Sequence, residues 1–376
     1  MDKKKVLIVF GTRPEAIKMI SVIESFKKAD VSVKVCVTAQ HRTMLDQVLH
    51  FFQLVPDFDL DLMKSNQSLS ELTGRILNDL TAVLDSFKPN LVLVHGDTTT
   101  SMVTTLAAFY QRIPVGHVEA GLRTYNKYAP FPEEINRQII GKIAELHFAP
   151  TISAKNNLIK DGVLESNIQV TGNTVVDAMH KGLELLESYS DHEIVSLIQK
   201  LDFTKEIILV TGHRRENFGD GFQAICTGLK KIANEFQNIQ IVYPVHLNPN
   251  VFDIVHSVLG KVSNIYLLPP LGYPAFLWLM KKSKIIITDS GGIQEEAPTI
   301  QKPVLIMRDV TERMEAIQLG LAKLVGTNSD LIFEETRKLL TDKIYFESFL
   351  STTNPYGDGK ASEKIVDFVM ASSIMS

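Results

Sequence analysis

VLIVFGTRPE, residues 6–15, runs five apolar residues straight into Gly11 and Pro14. A run that apolar, without polar alternation, reads as a strand buried on both faces, and the glycine and proline mark the turn that ends it. Two hundred residues later IILVTGHRRE, residues 207–216, repeats the plan of strand, glycine, one residue, arginine, one residue, glutamate. Each stretch is followed, some eighty residues on, by a further apolar run leading to an aspartate: LVLVHGD ends at Asp97 and KIIITD at Asp289. The pattern predicts two similar α/β halves in tandem.

Other runs fit that frame. VKVCVTA (33–39) and IQIVYPV (239–245) read as further buried strands, with amphipathic stretches between. Ser68-Leu-Ser-Glu71 matches a capping box and predicts a helix that stops before Pro89. Strands alternating with helices make a parallel sheet covered on both faces. The expected fold class is therefore α/β, two Rossmann-like domains with parallel sheets facing across a cleft. The first domain is expected over 1–175, with a C-terminal helix at 362–376 packing back on it, and the second over 176–361.

The bulk numbers agree with two domains: 376 residues, 45% hydrophobic and 22% charged. A net charge of −4 argues against nucleic acid as a partner. The apolar run after Lys3-Lys-Lys5 is too short for a secretion signal, and no stretch approaches the ~20 residues that span a bilayer. A cytoplasmic, membrane-independent protein is expected. Cys36 and Cys226 each sit in an apolar run, which suits buried reduced thiols rather than a disulfide or metal site.

In open parallel sheets ligands sit beyond the carboxyl ends of the strands, and the chemistry-bearing residues fall there. TDSGGIQEEAP (288–298) offers the backbone N–H groups of Ser290, Gly291 and Gly292 at a helix start, either a seat for phosphate or a plain helix cap. Glu295 and Glu296 are expected in the first turn of that helix, complementing its dipole or accepting from a ribose diol. No GxxxxGK[ST] loop and no GxGxxG fingerprint is present. Arg13, Lys18, His213, Arg214, Arg215, Arg308 and Arg313 place cations at strand ends of an acidic chain, as a diphosphate site would. Phe276 could stack on a base or simply fill the core.

HVEAGLRTYNKYAPFPEEINRQ (117–138) gathers acids, arginines, prolines and rings. It reads as a segment lining the cleft, its prolines and rings holding the charged groups in place. Asp97, Glu119 and Glu133 sit in separate loops at one sheet end. Several carboxylates beside a diphosphate would repel it unless they have proton work to do, and removal and return of a weakly acidic C–H proton is such work. Hydrolysis needs only one base and a water. His41, His147 and His246 read as structural.

These motifs, together with TAQHRTMLDQVL, GHVEAGLRT, PEEINR, VTGNTVVDA, HLNPNV and NPYGDG, resemble the non-hydrolysing UDP-N-acetylglucosamine 2-epimerases through nearly the whole chain. The resemblance implies a GT-B fold and reversible 2-epimerisation by anti elimination of UDP to 2-acetamidoglucal and re-addition, feeding cell-surface polysaccharide synthesis without NAD or metal. It implies Asp97, Glu119 and Glu133 as acid/base groups and His213 near the leaving diphosphate. Arg13, Lys18, Arg137, Leu271, Phe276, Ser290, Gly291, Gly292, Glu296 and Arg313 would hold UDP and sugar, Phe276 against uracil. A second UDP-N-acetylglucosamine would bind as activator at Gln40, Gln67, Glu133, Arg214 and His246, and the protein would be a homodimer. The chain departs from relatives at Thr43 and Asn66, where some carry longer polar side chains, and at Val310 and Met314, usually Thr and Pro. The same chemistry on another UDP-2-acetamido sugar, a hydrolysing epimerase and a GT-B glycosyltransferase are the competing activities.

Overall fold

The structure, a computed structural model, describes residues 3–39, 42–62, 67–311, 313–350 and 353–375. The chain divides into two compact units, Met1–Lys181 with Tyr356–Ser376, and Gly182–Pro355.

In the first unit the strands are β1 Lys5–Phe10, β2 Ser32–Val37, β3 Phe58–Asp59, β4 Leu91–His95, β5 Val115–Val118, β6 Leu146–Ala149 and β7 Ile168–Val170. They form one sheet in the order β3-β2-β1-β4-β5-β6-β7, every pair parallel. The second unit carries β8 Glu206–Thr211, β9 Ile239–Pro244, β10 Ile265–Leu268, β11 Ile285–Thr288, β12 Val304–Ile306 and β13 Ala322–Leu324. Their order is β10-β9-β8-β11-β12-β13, again all parallel. Both sheets are of Rossmann type, each reversing its direction of growth between its first and fourth strands. VLIVFGTRPE and IILVTGHRRE occupy equivalent places, β1 and β8, at the centre of their sheets.

Burial explains the composition of the strands. From Val6 to Phe10, and along Leu91, Val92, Leu93 and Val94, every side chain is wholly buried, because helices cover both faces. One face of the first sheet packs Leu7, Val9, Val92 and Val94 against Leu80, Leu84, Ala107 and Ala108 from two helices. The second core joins Ile208, Val210, Ile241, Tyr243, Ile285 and Ile287 to Phe222, Ile225, Leu229 and Ile332. The capping box forms as expected: Ser68 Oγ accepts from Glu71 N at 3.2 Å, and Glu71 Oε2 accepts from Ser68 N at 2.8 Å. The helix it opens, Leu69–Phe87, ends ahead of Pro89. Cys36 and Cys226 are buried free thiols. Among the described residues no helix is long and apolar enough to cross a membrane.

Candidate active site

At the switch point of the first sheet, the turn after β1 faces the turn after β4. The helix Arg13–Lys28 begins there, and its Glu15 is buried beneath both turns. Glu15 Oε2 accepts from Gly11 N (3.0 Å), Thr12 N (2.8 Å) and Thr12 Oγ1 (2.8 Å), while Oε1 accepts from Thr98 Oγ1 (2.7 Å). One carboxylate thus satisfies the orphan N–H groups of the first turn and ties it to the second. Burial raises its pKa, with those hydrogen bonds pulling the other way.

The acids gather on this frame. Asp97 follows β4, and its Oδ2 is ion-paired with Arg137 Nη2, while Asn136 Nδ2 donates to the Asp97 carbonyl at 2.9 Å. Asn136 and Arg137 are neighbours on the helix Glu133–Ile143, so one element holds both the backbone and the carboxylate of Asp97. Glu119 follows β5 with φ of +62°, a left-handed conformation that costs a non-glycine residue about 1 kcal/mol or more. Its Oε2 is ion-paired with Lys18 Nζ and accepts from Asn173 Nδ2 at 3.1 Å; His95 Nε2 lies 3.8 Å away. Burial raises the pKa of Asp97 despite Arg137, and the negative charges of Glu119 and Glu133 add to the rise. Asp97 therefore senses both of the other acids. A half-buried acid whose pKa desolvation raises, beside one paired with an ammonium, is an arrangement for moving protons between two carboxylates.

Glu134, not singled out in the sequence, is wholly buried. Its carboxylate accepts from Thr124 N (3.0 Å), Tyr125 N (3.1 Å) and Gln138 Nε2 (2.8 Å). Burial pushes its pKa up, but hydrogen bonds from Thr124 and Gln138 outweigh that and lower it. This corrects the expectation for residues 117–138: Tyr125, Tyr128 and Phe131 are 48%, 70% and 63% exposed, and it is the backbone N–H of Tyr125, not its ring, that bonds an acid. The segment is clamped by Glu134.

In the second unit Asp289, wholly buried at the end of β11, accepts from the N–H groups of His213 and Arg214, both at 2.9 Å, and from Asn217 Nδ2 at 3.3 Å. Its Oδ1 lies 3.4 Å from His213 Nδ1. Each unit thus satisfies the turn after its central strand with a buried carboxylate, the first from the following helix and the second from the neighbouring strand. The His213 ring stacks on that of exposed His246, centroids 5.7 Å apart. Desolvation lowers the pKa of His213, with Asp289 opposing.

Ser290 caps the short helix Gly291–Glu296. Glu295 and Glu296 lie at its end, not in its first turn as expected, because the helix already begins at Gly291. Glu295 is buried and bonded at 2.7 Å by Arg313 Nε. A Cβ on Gly291 would stand 2.8 Å from the Arg313 guanidinium carbon, so a side chain there would displace the guanidinium from its present seat across the turn. The Arg313 loop lacks a proline but is anchored: Thr311 Oγ1 donates to Gln294 and accepts from Arg313 N. Phe276, on the helix Tyr273–Lys282, is half-buried among neighbours that are nearly all buried, and Leu271 precedes that helix, also half-buried. Arg308 pairs with Glu216, and Gln67 accepts from Arg75 Nη1 at 3.3 Å. Arg13 is half-buried at the start of its helix. Gln40, His41 and Asn66 lie outside the described residues, as does the side chain of Thr43.

Glu15, Asn136, Asn173 and Asp289 were not singled out as site residues. Their partners are distant in the chain, and only Glu15 had a local signal, the Thr12-x-x-Glu15 capping pattern.

The family model described as UDP-N-acetylglucosamine 2-epimerase matches residues 24–370. A Campylobacter jejuni protein of that name is 53% identical over 373 residues, 98% of this chain and 97% of its own. Among solved structures, UDP-GlcNAc 2-epimerase from Neisseria meningitidis bound to UDP-GlcNAc superposes with a TM-score of 0.90 at 49% identity, covering 98% of this chain and all of that one. The Methanocaldococcus jannaschii UDP-GlcNAc 2-epimerase in complex with UDP-GlcNAc and UDP gives a TM-score of 0.81 at 32% identity, with the same coverage.

Proposed function

The chain belongs to the UDP-N-acetylglucosamine 2-epimerase family, a family of nucleotide-sugar isomerases with a GT-B-type fold, and on that premise we propose how its own residues carry the reversible 2-epimerisation of UDP-N-acetylglucosamine. A carboxylate takes the C2 proton, the C–H electron pair forms the C1=C2 bond, and the C1–O bond to UDP breaks, leaving 2-acetamidoglucal. Return of UDP to C1, with a proton delivered to the opposite face of C2, gives UDP-N-acetylmannosamine. The electron count is unchanged over the cycle, so no nicotinamide is consumed.

The observation that carries this reading is the pairing of Glu119, held by Lys18, with Asp97, whose proton affinity burial raises. The reaction needs one group that accepts a proton and one that gives it back, and these two environments differ in that sense. Glu133 supplies a third carboxylate whose charge reaches Asp97. UDP is held by Arg13, the Ser290–Gly292 turn, Glu296 and Arg313, with Phe276 and Leu271 toward the base, and His213 near the diphosphate.

A second UDP-N-acetylglucosamine acts as activator at Gln67, Arg214 and His246. The buried Arg214 Nε, which has no hydrogen-bond partner among the described residues, supports this reading. A cytoplasmic homodimer supplying polysaccharide synthesis completes it. Exposed Phe109 and Tyr110, and Ile135 and Ile139 on a helix packed against theirs, offer apolar surface for a second copy.

The test is turnover in deuterated water, followed by proton NMR. Deuterium should enter C2 of both sugars and no other carbon. Epimerised product that keeps protium at C2 would rule out the elimination.

A further inference from the structure

Glu119 is gripped from two sides, and the two grips differ in kind. The Lys18 ammonium is a compact charge on a flexible stem, which follows a carboxylate as it rotates. The Asn173 amide is planar and directional, and its Nδ2 stands 3.1 Å from Glu119 Oε2. At its other end Asn173 Oδ1 accepts from Val175 N at 3.0 Å. With its oxygen committed there, the amide can present only its N–H to Glu119.

Asn173 is itself pinned from the far end of the chain. Its backbone N donates to the carbonyl of Tyr356 at 2.6 Å. Gly172 has φ of +91°, and a Cβ there would stand 3.0 Å from the Tyr356 oxygen and 3.2 Å from Gly357 Cα, so the two backbones touch. Further along, Asp177 accepts from Ala361 N (3.2 Å) and Ser362 N (2.8 Å).

We propose that Asn173 is a positioning residue for Glu119, and that the C-terminal strap Tyr356–Ser362 holds Asn173 in register. The carboxylate that moves the C2 proton is thereby aimed by a segment more than two hundred residues away in the chain. The inference rests on the reading of Glu119 as a proton-transferring group, and its test separates the two.

Asn173→Asp keeps the acceptor for Val175 N and the shape of the side chain but replaces the donor with a like charge facing Glu119. Aspartate is also a good helix cap, but a second buried carboxylate beside Glu119 costs stability, so the variant should melt a few degrees below the parent and remain folded at assay temperature. Its kcat should fall by about tenfold to a hundredfold, because a misaimed group costs that much, with KM changed less than about threefold. The pH at which the rate rises should move upward, since a neighbouring anion raises the proton affinity of Glu119. Asn173→Ala should show a similar loss of kcat together with a lower melting temperature. If Asn173 only caps the helix Thr174–Leu185, Asn173→Asp will turn over like the parent with the same pH profile, and the proposal is overturned. Glu119→Gln, run alongside, should bind UDP and lose C2 exchange. Parental turnover in that variant would sink the reading of Glu119 and this proposal with it.

Discussion

At the start of the helix Glu133–Ile143, consecutive glutamates meet different surroundings. Glu133 is half-buried and close enough for its charge to bear on Asp97. Glu134, rotated by one helical step, is enclosed by the N–H groups of Thr124 and Tyr125. Removing the enclosed carboxylate strands two backbone donors, a loss of about 1–3 kcal/mol for each buried group left without a partner. Glu134→Ala should therefore lower the melting temperature by several degrees, whereas Glu133→Ala should melt like the parent and lose most of its turnover. A thermal melt and a rate measurement on each variant would show it, and the opposite assignment of losses would reverse the two roles. The motif PEEINR does not reveal which acid turns inward, since that depends on what the loop 124–131 does. The same holds for Asn173 and Asp289, whose partners lie 54 and 76 residues away. Strand-end acids such as Asp97 are legible because a strand ending in Gly and Asp needs only local pattern. The residues that orient them are legible only once the chain has closed.

Elements were readable in proportion to their length. β1, β4 and β8, each of five or six residues buried on both faces, announce themselves as unbroken apolar runs. β3, β7, β12 and β13, of two or three residues, are too short for any periodicity and exist because longer neighbours supply their partners. Helix starts were readable at Ser68, where the cap is local, and near residue 362, where only the capping partner was hidden. The helix Ala361–Ala371 has no side-chain cap of its own; Asp177, 184 residues earlier, accepts from its first N–H groups. Losing an N-cap of this kind costs about 1–2 kcal/mol. Asp177→Ala should raise hydrogen exchange across 361–371 and leave the strands of the second unit protected as before. Because the strap descends from that helix to Asn173, kcat should drop as well. Unchanged exchange in that helix would mean its packing against the helix Arg13–Lys28, not the borrowed cap, holds it.

For the molecule as a whole, the repeat of VLIVFGTRPE in IILVTGHRRE foretold two sheets of like topology, since a buried central strand and its turn are local patterns. It could not foretell that the halves would diverge in chemistry. The turn of one is held by Glu15 and that of the other by Asp289, while Glu216, the counterpart of Glu15, is a half-exposed partner of Arg308. Divergence also leaves a titratable pair under the first sheet. His117, wholly buried on β5, donates from Nε2 to the Gly96 carbonyl at 2.7 Å and meets His147 edge-on, centroids 6.5 Å apart. Burial brings the pKa of His117 down from 6.5 to about 3, and that of His147 to about 4. Both rings stay neutral while the unfolded chain takes up protons. Their contribution to stability is therefore complete above pH 6.5 and drains away as the pH falls toward the folded values. Glu15, Asp97 and Asp177, whose pKa values burial raises, work in the opposite sense, so the total slope mixes signs and the informative quantity is a difference. His117→Gln keeps an N–H for the Gly96 carbonyl but cannot titrate. Between pH 6 and pH 4 the unfolding free energy of the parent, measured in urea, should decline relative to this variant by about 1.4 kcal/mol per pH unit. If the two curves run parallel over that range, His117 is not excluded from protonation in the folded state and plays no part in the acid limit of the protein.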